Sequence, residues 1–298
     1  MTTATTPRPH APLESPTGAA ASPDAATITR QRSGQLAPDR VAGTGRGPVA
    51  PRFLFPLIDG LVGARPATVL EVRAETPTIL RLRLERPAGF HHHPGQHAVL
   101  RLHTDQGPDL RPLSIVSPPD AAELEFATRI GPSAYKQAFA ALQAGDRVKV
   151  SRPMGSFGLD PTRPAVMVSG GIGITPLRSM LGAAAASGHH APIRLLFSNR
   201  TAEEIPFRLE LDQLARDHPD LRITWVLSAS AAGAPDGDVL AGRIEASHLR
   251  EQLRQLPDAV VYLTGPAAMV DDLTGMLRRI GLPRSQLRRS RQTMPLSR

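Results

Sequence analysis

A short run of buried-type residues, Ala165–Ser169, leads straight into Gly170-Gly171-Ile172-Gly173-Ile174-Thr175-Pro176. An apolar strand, a glycine turn and a proline in the first turn of a helix fit few architectures other than a layered β-α-β unit. The glycines let the chain turn tightly, and the free N–H groups and dipole of the following helix favour negative charge. Thr175 can cap that helix or donate to a phosphate. The spacing departs from G-x-G-x-x-G, because Pro176 stands where the last glycine would be. An ordinary strand-to-helix turn would read the same way, so this segment alone leaves both readings open.

A second copy of the logic follows. Tyr262-Leu263-Thr264-Gly265-Pro266-Ala267-Ala268-Met269 again reads strand, glycine, proline and helix. Two such strand ends can flank one crevice, with Gly171, Gly173, Thr175 and Pro176 on one side and Gly265 and Pro266 on the other. Met269 reads equally well as a packing residue of the helix. A third strand ends at Ser198-Asn199-Arg200-Thr201. Ser198 and Arg200 there suit a phosphate on a ribose, although a salt-bridged surface arginine is as good a reading of Arg200.

These turns belong to a regular rhythm after Arg163-Pro164. Strands are predicted at 165–169, 193–197, 223–227 and 260–263, and helices at 176–186, 205–215, 248–256 and 267–280. Apolar strands alternating with helices of this length describe an open, mainly parallel α/β sheet. The earlier part has another rhythm. Runs at 68–72, 78–84, 97–102, 124–128 and 146–150 read as short strands, and Leu80, Leu82 and Leu84 alternate with Arg81, Arg83 and Glu85. That period of two marks a half-buried strand, and several such strands between Pro and Gly turns suggest an antiparallel β-barrel. Residues 134–142 form its one helical insert. The expected organisation is a disordered Pro/Ala-rich tail at 1–50, a barrel domain at 51–163, an α/β domain at 164–287 and a basic tail at 288–298. Arg52–Ile58 is a short apolar lead-in that either packs back or touches a membrane.

Charge is a property of the ends. Residues 1–50 carry seven prolines and a net +2, residues 278–298 carry seven Arg and no acid, and the rest of the formal +8 is therefore −1. A nucleic-acid binder would gather charge and aromatic rings on a folded face, and only 4% of residues are aromatic, so no nucleic-acid partner is expected. The terminal arginines read as a solvated tail or as a contact for an acidic protein or anionic surface. No window is apolar enough to span a membrane, and no secretory h-region stands at the start, so a cytoplasmic protein is expected. Cysteine is absent, which leaves no ligand for a cysteine-bound iron–sulfur cluster within this polypeptide. His91-His92-His93 alternate in direction on an extended loop and lack a zinc-ligand spacing, so no metal site is expected. No G-x-S-x-G elbow is present for acyl transfer.

The barrel half has its own motif, Arg111-Pro112-Leu113-Ser114, preceded by Pro94-Gly95-Gln96-His97. A guanidinium suits a phosphate and a nearby hydroxyl suits a ring nitrogen, although four such residues alone read equally well as any strand. Arg129-Ile130-Gly131-Pro132-Ser133 then opens a helix, where Ser133 is either a plain N-cap or a phosphate ligand. Gly155-Ser156-Phe157 completes the order of landmarks.

With that order the chain resembles the ferredoxin–NADP reductase superfamily over roughly residues 65–287, particularly the soluble bacterial oxidoreductases. The resemblance implies an FAD-binding barrel and a nicotinamide-nucleotide domain. It implies that Arg111 holds flavin phosphate, with Pro112 stiffening the strand, Leu113 at the stacking position and Ser114 beside N5. His97 can touch the flavin, Thr128, Arg129 and Ile130 edge it, and Gly131 and Ser133 meet its pyrophosphate. Gly171, Gly173, Thr175 and Pro176, with Gly265 and Pro266, line the NAD(P)H site, and Ser198 and Arg200 meet the adenosine ribose. Ser114 and Thr264 are the candidates at the reacting centre. Three departures stand out: Leu113 where the family usually has Tyr, Thr264 for a frequent Cys, and an end, Leu287–Met294, without an aromatic residue. They point to weaker flavin retention or to altered reactivity, including toward oxygen. The implied activity is hydride transfer from NAD(P)H to FAD and electron delivery to an external acceptor: a ferredoxin-like protein, a haem protein or a ferric chelate. The alternative is a non-catalytic or regulatory module of a redox complex.

Overall fold

In residues 79–85 leucine alternates with charge, and five further strands complete the sheet around the apolar face this creates. The computed structural model describes residues 63–230 and 232–291. The N-terminal tail, the lead-in Arg52–Ile58 and the chain after Arg291 lie outside the described residues. The first sheet comprises β1 (Arg65–Thr76), β2 (Ile79–Glu85), β3 (His97–Thr104), β4 (Gly107–Ser114), β5 (Glu123–Arg129) and β6 (Arg147–Val150). Their order is β4-β3-β6-β1-β2-β5, with every pairing antiparallel. Leu82, Leu84, Leu100, Leu124 and Phe126 fill the barrel-like interior. Helix α1 (Ala134–Ala141) follows β5 directly and buries Tyr135 and Phe139 in the same core.

β4 is longer than its sequence suggests. β4 runs through both Pro108 and Pro112, which it tolerates as an edge strand, where a missing N–H costs no ladder bond on the open side.

The second sheet comprises β7 (Ala165–Gly170), β8 (Ile193–Asn199), β9 (Leu221–Leu227), β10 (Asp238–Ala241), β11 (Val260–Gly265) and β12 (Leu287–Arg291). It is parallel throughout, in the order β10-β9-β8-β7-β11-β12. Odd-numbered positions of β7, β8 and β9, such as Met167, Leu195 and Trp225, with Val260 and Tyr262 of β11, pack under α2 (Ile174–Ala186) and α3 (Arg208–Asp217). Their even-numbered positions, such as Val168, Leu196 and Val226, with Val261 and Leu263 of β11, pack under α4 (Ala246–Gln255) and α5 (Ala267–Arg279). This is the expected fold: an antiparallel barrel-like sheet, then an open parallel α/β sheet.

Three local expectations change. The helix predicted from Ile205 begins at Arg208, because Phe207 adopts the left-handed φ of 58° behind Pro206. A non-glycine residue there costs on the order of 1–3 kcal/mol and persists only where its surroundings hold it. Arg81 is 5% exposed, not on a solvated face, because the outer face of β2 is covered by the second half of the molecule. Residues 288–291, expected to begin a tail, pair with β11 as the edge strand β12.

Candidate functional site

The order of the parallel sheet runs outward from β7 through β8 to β10, and in the other direction through β11 and β12. Connections reverse between β7 and β11, so their carboxyl ends define the crevice of an open α/β sheet. Ser169 and Thr264 lie opposite each other there, and the Thr264 hydroxyl donates to Ser169 Oγ at 3.2 Å. Both side chains are buried, so Thr264 enters the site as half of a hydroxyl pair.

The glycines explain how the strand ends come together. A Cβ on Gly173 would stand 2.6 Å from Gly265 Cα, and one on Gly170 would stand 2.4 Å from Met269 Sδ. Gly265 itself, at φ +142°, faces the Gly170 backbone. The glycines are therefore needed to interlock the two turns with each other. Thr175 does not cap α2: Gly173 holds the N-cap position, and the Thr175 hydroxyl donates to Ile172 O at 3.1 Å. Pro176 is buried in the first turn, as expected, and Pro266 opens α5.

At the tip of β8, Ser198 is half-buried and Arg200 is exposed. Between them Asn199 is 6% exposed, and neither its Nδ2 nor its Oδ1 has a partner. A buried amide without hydrogen bonds is costly, and a polar ligand at this strand end would satisfy it. Asn199 carries no motif signal of its own beside the charged Arg200.

In the barrel, Arg111 and Leu113 pair with Leu100 and Ala98, whereas Pro112 and Ser114 pair with Val99 and His97. Partners across an antiparallel ladder share a face, so Arg111 and Leu113 belong to the inner face and Ser114 sits beside His97 on the outer. Leu113 packs partly on the barrel core. Arg111 Nη1 donates to Asp109 Oδ1 at 2.6 Å, and its guanidinium lies 5.5 Å from the centre of the Tyr135 ring. Tyr135 in turn donates to Leu100 O at 3.2 Å. Asp109 and Tyr135 thus orient the proposed phosphate ligand. Asp109 was findable, since it stands two residues before Arg111 on the same strand.

Ser133 is the N-cap of α1 and accepts from Lys136 N at 3.4 Å. The Lys136 side chain lies over Gly131, where a Cβ would come within 3.0 Å of its Cδ, so a second cation borders this turn. Thr128 is buried in β5, Ile130 is 50% exposed, and Arg129 Nη1 donates to Thr78 Oγ1 at 3.3 Å. A Cβ on Gly171 would stand 2.5 Å from Arg129 Nη2, so this barrel arginine lies directly against the β7–α2 turn. His97 is half-buried, which holds its imidazole below the usual value, and Gly155 backs onto it. Gln96 joins the two loops, accepting from His93 N at 2.8 Å and donating to Gly155 O at 3.1 Å. In the histidine run, His92 turns inward with Nε2 3.1 Å from Ser117 O, while His91 and His93 are exposed.

A barrel with a cationic edge, joined to a parallel sheet with a glycine-built switch-point crevice, defines a two-part nucleotide-binding protein. Residues 167–274 match the family model described as an oxidoreductase NAD-binding domain. Ferredoxin–NADP reductase B of Sorangium cellulosum is 33% identical over 242 residues, covering 76% of this chain and 98% of that protein. The ferredoxin–NAD(P)(+) reductase component of the naphthalene 1,2-dioxygenase system of Pseudomonas putida is 32% identical over 219 residues, covering 72% of this chain. This chain spans 65% of the length of that relative. A ferredoxin NADP+ reductase from Neisseria gonorrhoeae, solved with bound FAD and NADP, superposes with a TM-score of 0.67 at 21% identity, over 77% of this chain and 99% of its own. The chain belongs to the ferredoxin–NAD(P) reductase family.

Proposed function

We propose that this protein is an FAD-dependent oxidoreductase that takes hydride from NAD(P)H and passes electrons to a separate acceptor, foremost a ferredoxin or other redox protein. One observation carries the reading: Arg129, next to the proposed flavin edge, lies against Gly171 of the proposed nicotinamide turn. The residues suited to two nucleotides therefore meet at one junction. Bound FAD supplies the chemistry, taking two electrons as hydride and releasing them singly. The chain binds and orients. Arg111, with Lys136 and the Gly131–Ser133 turn, offers positive charge and N–H donors to the flavin phosphates. Ser114 and His97 stand together at the outer end of β4, suited to the ring edge. Asn199, Ser198 and Arg200 suit the adenosine side of the nicotinamide nucleotide, and the exposed Arg200 favours the phosphorylated form. Hydride transfer requires no acid or base at the reacting atoms. The flavin-carrying and nicotinamide-carrying parts divide near Asp160–Pro164. No described helix is long and apolar enough to cross a membrane, and a cytoplasmic setting is part of the proposal.

Protein reconstituted with FAD should lose its visible flavin absorption when NADPH or NADH is added without oxygen. Reduction by neither nucleotide would remove the enzymatic reading, and absence of saturable FAD binding would favour a non-catalytic module. Leu113 packs only partly on the barrel core, so where the pocket has room for the larger ring Leu113→Tyr should tighten FAD by about 0.5–1.5 kcal/mol, the increment of an aromatic contact, and leave the preference between NADH and NADPH unchanged. Equilibrium FAD titration measures it, and an unchanged dissociation constant would move residue 113 away from the flavin.

A further inference from the structure

The two halves meet across a ring of charge that none of the proposed cofactor contacts uses. Arg81 of β2 donates from Nη1 to Glu210 Oε1 of α3 at 2.6 Å and from Nη2 to Glu125 Oε1 of β5 at 2.5 Å. Arg178 of α2 closes the circuit, donating from Nη1 to Glu125 Oε2 at 2.9 Å and from Nε to Glu210 Oε2 at 2.6 Å. Each carboxylate gives one oxygen to each arginine. Arg178 Nη1 also donates to Val116 O at 3.0 Å. Three of the four side chains are 12% exposed or less, and Glu210 is 37% exposed.

Phe207 seats the ring. Its aromatic face lies 5.3 Å from the Arg81 guanidinium and 4.9 Å from that of Arg178. Its N–H donates to Glu75 Oε1 of β1 at 2.8 Å, and Glu75 Oε2 lies 3.6 Å from Arg81. The left-handed backbone at Phe207 is held at this contact. Burial works against the Glu210 carboxylate, yet Arg178 and Arg81 keep it below the usual carboxylate range.

The members come from both halves: Arg81, Glu125 and Glu75 from the barrel, Arg178, Glu210 and Phe207 from the α/β part. Apolar surfaces can slide over one another, but planar guanidinium–carboxylate pairs hold one relative orientation. The ring is also close to both proposed sites along the chain. Arg178 is one turn into the helix that starts at the glycine turn, and Glu125 is on the strand that ends at Thr128 and Arg129.

We propose that the Arg81–Glu125–Arg178–Glu210 ring, seated on Phe207, is a positioning device that sets the nicotinamide half against the flavin half for hydride transfer. This rests on the proposed oxidoreductase function. Arg178→Lys keeps the charge and removes the fork, and Glu210→Gln neutralises the most accessible carboxylate. Anaerobic rapid mixing of the FAD-loaded proteins with NADPH should show the flavin reduction rate constant falling roughly 10- to 100-fold, the scale of an ångström-sized misplacement. FAD affinity should stay near wild type. The two substitutions together should cost little more than one, because both break the same circuit. Reduction by dithionite, which needs no nicotinamide alignment, should be unaffected, a separation that mere loss of stability would not produce. Arg83→Ala, which removes partly buried pairs with Glu71 and Glu123 outside the ring, is the control and should leave the rate unchanged. If Glu210→Gln fails to fold, Arg178→Lys and Phe207→Leu, which keeps apolar volume under the ring, carry the test. Wild-type rates in folded, FAD-loaded variants would overturn the proposal. Failure of the wild-type protein itself to be reduced would instead overturn the function on which it rests.

Discussion

Gly173→Ala is expected to cut flavin reduction by nicotinamide nucleotides by about 100-fold while FAD stays bound. Gly173 has an ordinary helical φ of −58°, so conformational freedom does not explain the glycine. Space does. A Cβ there would stand 2.6 Å from Gly265 Cα, 2.7 Å from Gly265 N and 3.0 Å from Thr264 C. These are backbone atoms at the end of β11 and cannot swing aside. Either α2 or the β11 turn must shift, and overpacking of this kind costs typically about 1–3 kcal/mol. The shift falls on both walls of the proposed nicotinamide crevice, so its kinetic effect should exceed its effect on stability. Gly171→Ala provides a contrast. Its φ of +52° penalises any side chain, but the atom in the way is the tip of Arg129, which can move. Anaerobic reduction kinetics with both nucleotides, alongside thermal melts, separate the two effects. A Gly173→Ala rate within about threefold of wild type would mean that the β7–β11 contact does not shape the nucleotide site.

The strand-and-helix rhythm was readable because each element's apolar face follows a period the chain repeats. The four central strands of the parallel sheet and the alternating leucines of β2 carry that signal locally. Where burial depends on a distant partner, the period is silent. Arg81 reads as solvent-facing because its strand alternates, and it is buried because Glu210, 129 residues away, lies across it. β10 gives no readable period, because it is four residues long and lies at a sheet edge with no fully buried position. The start of α3 lies later than the sequence suggests because Pro206 is compatible with a first helical turn, whereas the contacts of Phe207 hold the chain in a left-handed conformation there.

The candidate site divides in the same way. The landmark glycines, Arg111, Ser114 and Ser133 were visible as motifs, but their supporting residues were not. Asp109 holds Arg111, Lys136 covers Gly131, and Asn199 carries the unsatisfied amide. Both tyrosines of the chain are also used as supports. Tyr262 accepts from Asp160 N at 2.8 Å and packs edge-on against Phe157, which ties the Gly155–Phe157 landmark to β11. Such residues carry no spacing rule, because their role is defined by what they touch.

Tyr135 is the support whose loss should cost most. Its side chain is buried in the barrel core beside Phe139, it donates to Leu100 O, and its face carries the Arg111 guanidinium. Tyr135→Ala is expected to destabilise the protein by about 3–5 kcal/mol, as for other large aromatic truncations. It should also weaken FAD, since it frees both Arg111 and the helix that Ser133 caps. Tyr135→Phe keeps the ring and loses one hydrogen bond, for about 0.5–1.5 kcal/mol, with FAD binding close to wild type. A pH series tests the burial of the hydroxyl. Burial, reinforced by Asp109, pushes the phenol well above its usual value. The unfolded chain ionises Tyr135 near its ordinary value of about 10, while the folded protein still holds the proton. Its stabilising contribution is therefore full below that pH and declines as pH climbs beyond it toward the folded-state value. Wild-type stability should fall more steeply above pH ~10 than that of Tyr135→Phe, leaving the shallower slope to Tyr262, whose phenol burial also raises. Equal slopes would show that the Tyr135 hydroxyl is reached by water. A Tyr135→Ala protein that binds FAD as tightly as wild type would separate Tyr135 and Arg111 from the flavin.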